Sequence, residues 1–206
     1  MYAGGGNLIV LLGPPGAGKG TQAVRLSATL GIPAISTGEM LRRECESGSV
    51  LGKVVQDVLN SGQLVSDDLM NRVIASRLRE CDCENGCILD GYPRTVSQAR
   101  FLDRLLKEAN LPRPIVFDFQ VETDEVVERL NMRGRTDDKP RTIRERLKVY
   151  RQNASKLVRY YSGKQYYRIR AGGTPEEVSG TLLRILSCQP ALRSRTAVPS
   201  YSVQTA

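Results

Sequence analysis

The sequence predicts an α/β fold with a five-stranded parallel sheet flanked by helices. Short apolar runs suited to buried parallel strands alternate with segments of helical hydrophobic periodicity. A glycine-rich segment with a lysine joins the first apolar run to the first helical segment. A long interval then separates the second run from the third, which leaves room for an inserted helical unit. Alternation of this kind is typical of a sheet covered by helices on both faces.

The predicted strands are short and apolar, as expected of strands buried on both faces. They are residues 7–12, 32–36, 87–90, 115–119 and 166–170. The predicted helices are residues 19–30, 95–109, 123–132, 142–162 and 175–186. The last helix has a clear start, because a threonine followed by proline and two glutamates suits an N-cap and first turn.

Residues 38–80 are too many for a simple crossover between two strands. Their pattern predicts several short helices, broken at the Ser-Gly-Ser of 47–49 and the Ser-Gly of 61–62. We interpret this interval as evidence for an inserted binding subdomain, whose predicted bounds are about residues 36–66. Residues 188–206 contain two arginines, no acidic residue and no periodicity, which predicts a disordered tail after a single domain of residues 1–187.

Composition excludes several classes of protein. The 206 residues are 40% hydrophobic and 25% charged, which is typical of a soluble domain, and no apolar run is long enough to cross a bilayer. The N-terminus has no basic region of the kind that begins a secretion signal. We therefore expect a cytoplasmic protein without a membrane partner.

Five cysteines, an odd number without Cys-x-x-Cys spacing, disfavour both a disulfide framework and a zinc site. A metal cluster at Cys81, Cys83 and Cys87 stays a minor alternative. The chain has no histidine, which removes the commonest general base and every mechanism that pairs serine or cysteine with histidine.

The formal charge of +8 raises the possibility of a nucleic-acid partner. However, much of the excess is arginine between residues 129 and 146, and only 3 Phe and no Trp are present to stack on bases. The planar fork of arginine suits bidentate recognition of phosphate. We therefore expect a small polyphosphate as the partner, and no nucleic acid.

The glycine-rich segment has the spacing of a phosphate-binding loop. Glycines let successive backbone N–H groups converge on an anion, and a helix N-terminus and a lysine add positive charge. The alternative is a glycine-rich turn without a ligand. Gly20 stands where the general motif has a hydroxyl residue, which disfavours direct metal coordination by that residue. The candidate phosphate contacts are Gly13, Gly16, Ala17, Gly18, Lys19, Gly20 and Thr21.

Charged residues beyond this loop are further candidates. Asp90 ends the third predicted strand, where a carboxylate can hold water around Mg²⁺; the alternative is an ordinary turn aspartate. Arg94 follows Pro93 at the ligand-binding edge of the predicted sheet. Arg129 and Arg133 lie four residues apart on a predicted helix and repel each other unless an anion lies between them. For Arg129, an ion pair with Glu125 is the alternative.

These motifs together resemble the adenylate kinase family from residue 8 to about residue 186. The resemblance rests on six segments: Gly-Pro-Pro-Gly-Ala-Gly-Lys-Gly-Thr-Gln-Ala at 13–23, Ser-Thr-Gly-Glu-Met-Leu-Arg at 36–42, Gly-Gln-Leu-Val-Ser-Asp at 62–67, Asp-Gly-Tyr-Pro-Arg-Thr at 90–95 with Gln98, Arg-Gly-Arg-Thr-Asp-Asp at 133–138, and Arg-Glu-Arg-Leu at 144–147. It implies a P-loop NTPase fold with a helical NMP-binding insertion and a short lid at about 133–140.

The resemblance also implies reversible phosphoryl transfer from ATP to AMP, giving two ADP, with Mg²⁺ but no zinc. It implies a monomer with ATP, AMP and ADP as partners. The implied catalytic cations are Lys19, Arg94, Arg133, Arg135 and Arg146. To the phosphate loop it adds Arg129 and Gly172 as ATP contacts. The implied AMP contacts are Thr37, Gly38, Arg42, Leu64, Val65, Gly91, Arg94, Gln98, Arg135 and Arg146.

Other functions remain open at this point. Pyrimidine monophosphate kinases are the nearest alternative enzymes, although Thr37 and the possible adenine contact of Gln98 favour AMP. Glu39 and Gln63 depart from the aspartate and lysine common in the family, which leaves fine acceptor specificity undecided. A catalytically inactive nucleotide-binding regulatory module is the alternative outside the enzymes.

Overall fold

The structure is a computed structural model that describes residues 7–135 and 138–189. Five parallel strands form one sheet in the order β2-β3-β1-β4-β5. Their bounds are β1 Asn7–Leu12, β2 Ala34–Ser36, β3 Gly86–Asp90, β4 Ile115–Gln120 and β5 Tyr166–Arg170. The first strand therefore lies at the centre of the sheet, and all of its residues are buried.

Helices make the connections between these strands. They are α1 Lys19–Leu30, α2 Thr37–Glu46, α3 Val50–Ser61, α4 Asp67–Arg77, α5 Val96–Glu108, α6 Thr123–Arg133, α7 Pro140–Tyr161 and α8 Pro175–Ser187. A short 3₁₀ helix, Cys81–Cys83, precedes β3. Among the described residues, none of the helices is long and apolar enough to span a membrane.

The predicted five-stranded parallel sheet is confirmed, with small differences at the ends of elements. The second strand begins at Ala34 rather than at residue 32. The helix α7 begins at Pro140, two residues before the start of the predicted helix 142–162, because proline fits the first turn of a helix. Thr95 is the N-cap of α5 rather than its first residue, and its hydroxyl accepts a hydrogen bond from the backbone of Gln98 at 3.1 Å.

The long second crossover contains three helices, separated where the sequence predicted breaks. The helix α2 ends before Ser47, and α3 ends at Ser61 with Gly62 in the left-handed conformation. Their assignment to a separate subdomain remains a prediction. Residues 134–139 connect α6 to α7, so that the predicted short lid falls here; Thr136 and Asp137 lie outside the described residues, as do residues 190–206 of the predicted tail.

Alternate residues of the central strand pack on opposite faces of the sheet. Leu8, Val10 and Leu12 join a core with buried residues of α4, α5 and α7. Ile9 and Leu11 join a second core with buried residues of α1 and α8. Two covered faces leave the carboxyl ends of the strands as the natural place for a ligand.

Candidate active site

A cavity of about 620 Å³ opens at the carboxyl edge of the sheet. Its wall is formed by the loop after β1, the start of α1, the insertion, the turn after β3, and parts of α6 and α7. It brings together most of the residues predicted from sequence. They are Gly13, Gly16, Ala17, Gly18, Lys19, Gly20, Thr21, Gly38, Arg42, Leu64, Asp90, Gly91, Arg94, Arg129, Arg133, Arg135 and Arg146.

Steric constraints explain the glycines of the phosphate loop. Gly13, Gly16 and Gly18 have φ values of 138°, 83° and 87°, which side chains rarely adopt. A Cβ atom at Gly13 would lie 2.9 Å from the carbonyl oxygen of Phe119 at the end of β4. One at Gly16 would lie 2.8 Å from Cγ of Leu130 in α6. The loop is therefore held closely against two neighbouring elements.

Lys19 lies at the start of α1 with its ammonium group turned back onto this loop. Its Nζ donates hydrogen bonds to the carbonyl oxygens of Gly13, at 2.9 Å, and Pro14, at 2.7 Å. Burial lowers the pKa of Lys19 to about 8; the charges of Asp90 and Asp118 oppose this effect, whereas those of Arg94 and Arg133 add to it. An anionic ligand would stabilise the charged form of this lysine.

Asp90 ends β3 beside the phosphate loop. In the sheet it pairs with Leu11 of β1 on one side and Ser36 of β2 on the other. The hydroxyl of Ser36 donates to its carboxylate at 3.4 Å. A Cβ atom at Gly20 would lie 3.5 Å from that carboxylate, so the residue after Lys19 borders Asp90 directly.

The carboxylate of Asp90 suits Mg²⁺ bound with the help of a substrate. Among the described residues no group of three or more His, Cys, Asp or Glu residues could hold a metal ion. Mg²⁺ needs no such group, because it keeps several waters and commonly binds one or two carboxylates together with phosphate oxygens. Asp90, beside a phosphate-binding loop, fits that pattern.

Arg94 is fixed by bonds at both its backbone and its side chain. Its backbone N–H donates to Oε1 of Gln98 at 2.7 Å, and its Nε donates to the carbonyl oxygen of Gly91 at 2.7 Å. Desolvation by the surrounding protein lowers the pKa of Arg94, although the residue is exposed to the cavity. The charge of Asp90 opposes this effect, and the charges of Arg146 and Arg42 add to it. The fields of three guanidinium groups therefore overlap, which favours an anion between them.

Two glycines give the arginines room. A Cβ atom at Gly91 would lie 2.9 Å from Nη2 of Arg94, and one at Gly38 would lie 3.3 Å from Nη1 of Arg42. Gly91 also has a φ of 82°. The backbone thus passes close to both guanidinium groups.

Asp138 connects two of the predicted catalytic arginines. Its carboxylate accepts bonds from Nε and Nη2 of Arg133, at 2.7 and 2.6 Å, and from Nη1 of Arg146, at 3.0 Å. The Asp138 side chain is only 2% exposed. This carboxylate holds the cations of α6 and α7 together in the structure.

Arg129 fits both predictions made from the sequence, the ion pair with Glu125 and a position at the nucleotide site. It forms the ion pair with Glu125 and donates to the carbonyl oxygen of Ala171 at 2.9 Å, yet it also lines the cavity. Gly172 is exposed and adjoins the carboxylate of Glu125 without lining the cavity, and its neighbour Gly173 lines the cavity instead.

Three predicted AMP contacts are buried and do not line the cavity: Thr37, Val65 and Gln98. Thr37 is buried and its hydroxyl donates to the carbonyl oxygen of Gly91 at 3.0 Å. Val65 packs in the core. Gln98 is 2% exposed, and its amide donates to Asp67 at 2.8 Å while it accepts from the backbone of Arg94. In the structure these residues position the wall, and their direct contact with AMP stays a prediction.

The sequence prediction missed Asp118, a cavity residue at the end of β4. Its carboxylate accepts hydrogen bonds from the hydroxyl of Tyr166 and from Nε2 of Gln120. Burial raises the pKa of Asp118, and these bonds oppose the effect. An acidic residue inside an otherwise apolar strand was the available signal.

The end of α3 and the residues that follow it contact α7 beside the cavity. The hydroxyl of Thr142 donates to the carbonyl oxygen of Asn60 at 3.0 Å, and Nε2 of Gln63 donates to Glu145 at 2.7 Å. A Cβ atom at Gly62 would lie 2.9 Å from the carbonyl oxygen of Thr142. The structure therefore shows the two sides of the site in contact.

A glycine loop between a central parallel strand and a helix, with a half-buried lysine and an aspartate on the adjacent strand, defines a protein of the P-loop NTPase fold. The family model described as adenylate kinase matches residues 11–166. The chain belongs to the adenylate kinase family. Curated relatives agree with this assignment over nearly their whole length.

Three relatives, each named adenylate kinase, illustrate the similarity. The protein from Corynebacterium urealyticum is 47% identical over 175 residues, which cover 85% of this chain and 96% of the relative. The protein from Mycobacterium tuberculosis is 47% identical over 178 residues, which cover 86% of this chain and 98% of the relative. That from Corynebacterium glutamicum is 48% identical with the same coverage.

Proposed function

We propose that the protein catalyses reversible transfer of a phosphoryl group from MgATP to AMP, giving two molecules of ADP. One observation carries the proposal: a single cavity joins a phosphate loop to a second set of cations on other elements. Lys19 belongs to the loop, while Arg42 and Arg94 belong to α2 and to the turn after β3. Two phosphate-binding regions in one cavity suit a donor and an acceptor that react directly.

The residues supply alignment and charge rather than a nucleophile. Phosphoryl transfer passes through a loose transition state with charge spread over the equatorial oxygens, so catalysis depends on in-line positioning and preorganised cations. Lys19 and the cluster of Arg94 with Arg146 have this preorganisation, because backbone carbonyls and neighbouring side chains hold them. We assign Arg133 and Arg135 to the same role.

ATP is the proposed ligand of the phosphate loop. The residues of the loop and the start of α1 line the cavity, and α1 carries no acidic residue in its first turn. Arg129 and the turn around Gly172 and Gly173 border the same region, where the adenosine would extend from the phosphates. When bound with ATP, Mg²⁺ would be held through water by Asp90 and would neutralise phosphate charge.

AMP is the proposed acceptor. Gly38, Arg42, Leu64, Gly91 and Arg94 line the cavity on the side of the insertion. Thr37 and Gln98 support this wall from behind, through bonds to Gly91 and Arg94. An amide that donates and accepts at once suits the edge of adenine, which favours AMP over a pyrimidine nucleotide if Gln98 is released from Asp67 upon binding.

We further propose that the enzyme acts as a cytoplasmic monomer and closes over its substrates. Contact between the insertion and α7 supports a closed state, which would keep water from the phosphoryl group. Light scattering of the full chain should give the mass of one chain.

The activity is tested by incubating the purified full chain with MgATP, with and without AMP. We expect two ADP for each ATP consumed when AMP is present, and far slower loss of ATP without it. Equal consumption of ATP under both conditions would show a hydrolase and contradict direct transfer.

A further inference from the structure

Three cysteines lie close together in sequence where the 3₁₀ helix turns into β3. Cys81 is exposed, Cys83 is half-buried and Cys87 is buried within the strand. The described residues that line the nucleotide cavity include none of them. Any chemistry at this turn is therefore separate from phosphoryl transfer.

The sulfur of Cys83 lies against a fixed guanidinium group. Nη1 of Arg77 donates to Sγ of Cys83 at 3.1 Å. The Arg77 side chain is only 18% exposed, and both oxygens of Asp82 hold it at 2.7 Å. A cation fixed at this distance stabilises a thiolate, which is the form of cysteine that reacts with oxidants.

Cys87 interacts with Cys83 across the turn, and the Cys83 thiol also lies 3.5 Å from Oδ1 of Asp82 and 3.6 Å from the carbonyl oxygen of Arg77. The hydrogen bond from Cys87 lowers the pKa of Cys83, and the charge of Arg77 adds to the effect. Burial, the charge of Asp82 and the hydrogen bond to Asp82 oppose it, and the net direction is downward. The same hydrogen bond, together with burial in β3, raises the pKa of Cys87. The pair thus consists of a sulfur that favours the thiolate form and a neutral thiol that donates to it.

The turn between these two cysteines is short and tightly packed. Only residues 84–86 separate the two cysteines, and Gly86 has a φ of 106°. A Cβ atom at Gly86 would lie 2.4 Å from the carbonyl oxygen of Asn7, so this turn is packed directly against β1. Cys87 then pairs with Leu8 in the sheet.

We propose that Cys83 is a site of oxidation by hydroperoxides and that Cys87 converts the oxidised sulfur to a disulfide. In the first step the Cys83 thiolate attacks one oxygen of the peroxide. An S–O bond forms and the O–O bond breaks, and the leaving hydroxide takes up a proton to become water. Sulfur loses two electrons to become a sulfenic acid, while the peroxide is reduced.

In the second step Cys87 gives up its proton and its sulfur attacks the sulfenic sulfur of Cys83. An S–S bond forms, the S–O bond breaks, and the hydroxide leaves as water after taking up a proton. The two steps together convert two thiols and one hydrogen peroxide into one disulfide and two waters.

The other cysteines lack this arrangement. Cys45 donates to the carbonyl oxygen of Gly52 at 3.4 Å, and burial and the charges of Glu46 and Glu44 raise its pKa. Within the described part of the chain, the exposed thiols of Cys81 and Cys188 have no hydrogen bond to a cationic side chain. Selective oxidation at Cys83 is therefore expected.

Peptide mapping of the full chain tests the proposal. The reduced protein is treated with one equivalent of hydrogen peroxide at neutral pH, blocked with an alkylating agent and digested. Trypsin releases residues 80–94 with all three cysteines, and a second cleavage after Glu84 separates Cys83 from Cys87. We expect the two halves to stay joined and to be two hydrogens lighter, in the wild type and in Cys81→Ser alike.

Matched variants assign the two roles. Cys87→Ser should stop at a sulfenic acid on Cys83 that dimedone traps, whereas Cys83→Ser should slow the reaction with peroxide about tenfold. Arg77→Gln should slow it as well, and Arg77→Lys should restore part of the rate. Cys45→Ser serves as the control and should react as the wild type does.

Two results would overturn the proposal. One is oxidation of Cys81 or Cys188 ahead of Cys83, and the other is separation of the two halves after cleavage at Glu84. The serine variants decide the matter even if Arg77→Gln fails to fold, because they leave the Arg77–Asp82 pair in place.

Discussion

At the residue scale, several cations of the site are held by other groups of the protein. Lys19 is bonded to two carbonyl oxygens of its own loop, and Arg94 to that of Gly91. Asp138 holds Arg133 and Arg146. Such groups need little rearrangement as charge develops on a transferring phosphoryl group, which is the condition for strong electrostatic catalysis.

Replacement of Arg94 by alanine should lower turnover on the order of 100-fold or more, as expected for the loss of one preorganised donor. The protein should remain folded by circular dichroism. Arg100→Ala is the matched control, because Arg100 is an exposed residue of α5 outside the cavity wall. Near-normal turnover of the Arg94 variant would count against the assignment.

The lowered pKa of Lys19, about 8 in the ligand-free site, predicts a pH-dependent affinity for ATP. Below pH 8 the ammonium is charged and attracts phosphate, and above pH 8 it loses its proton. A bound polyphosphate raises this pKa, so binding near pH 8 should take up a proton and affinity should fall from pH 7 to pH 9.

Calorimetric titration of a non-hydrolysable ATP analogue measures this effect. Lys19→Arg keeps its charge throughout the range and corrects for ionisation of the ligand. The same pH dependence in both proteins would show that Lys19 is not its source.

Residues with local motifs could be found from sequence, and those defined by distant contacts could not. The loop of Lys19 and the turn of Arg94 are contiguous segments whose chemistry can be read directly. The bond of Gln98 to Arg94 depends on the path of the turn after β3. Asp118 was missed because a buried acidic residue in a strand has no local pattern beyond its own charge.

At the element scale, glycine determines how closely α2 and α3 pack. A Cβ atom at Gly52 would lie 2.0 Å from the carbonyl oxygen of Glu44 and 2.7 Å from Cα of Cys45. The helix α2 also carries Gly38 and Arg42, so its position affects the proposed AMP region. Packing within the insertion is thus connected to the site.

Gly52→Ala should lower the free energy of unfolding by about 1–3 kcal/mol, because the added methyl group overpacks the contact between α2 and α3. It should also raise the KM for AMP more than that for ATP. Gly180→Ala is the matched control, since a Cβ atom there has nothing within 4 Å in α8 and should stabilise the protein by roughly 0.5–1 kcal/mol. Urea unfolding compares the two, and equal stabilities would contradict the packing argument.

Strands and helices were largely predictable, since buried parallel strands are short apolar runs bounded by turn residues. The helix breaks at Ser47 and Gly62 could also be predicted from the sequence, because small residues and glycine favour helix ends. The early start of α7 at Pro140 was missed, because the apolar periodicity begins only after the first turn.

At the scale of the whole molecule, the site results from elements that are distant in sequence. The contacts of Asn60 with Thr142 and of Gln63 with Glu145 each join residues 82 positions apart. No local pattern contains this information, so the sequence predicted both sides of the cavity but not their contact. That contact supports our proposal that donor and acceptor react inside a closed site.

The central claim is that this site transfers phosphate from MgATP to AMP in preference to other nucleotides. In the most direct test, the purified full chain is incubated with MgATP and with AMP, UMP, CMP or GMP separately. The rate of formation of each nucleoside diphosphate is then measured. Our account predicts rapid formation of ADP with AMP and much slower reaction with the other three. Preference for a pyrimidine nucleotide would contradict the acceptor assignment, and transfer to none of them would contradict the proposed catalytic function.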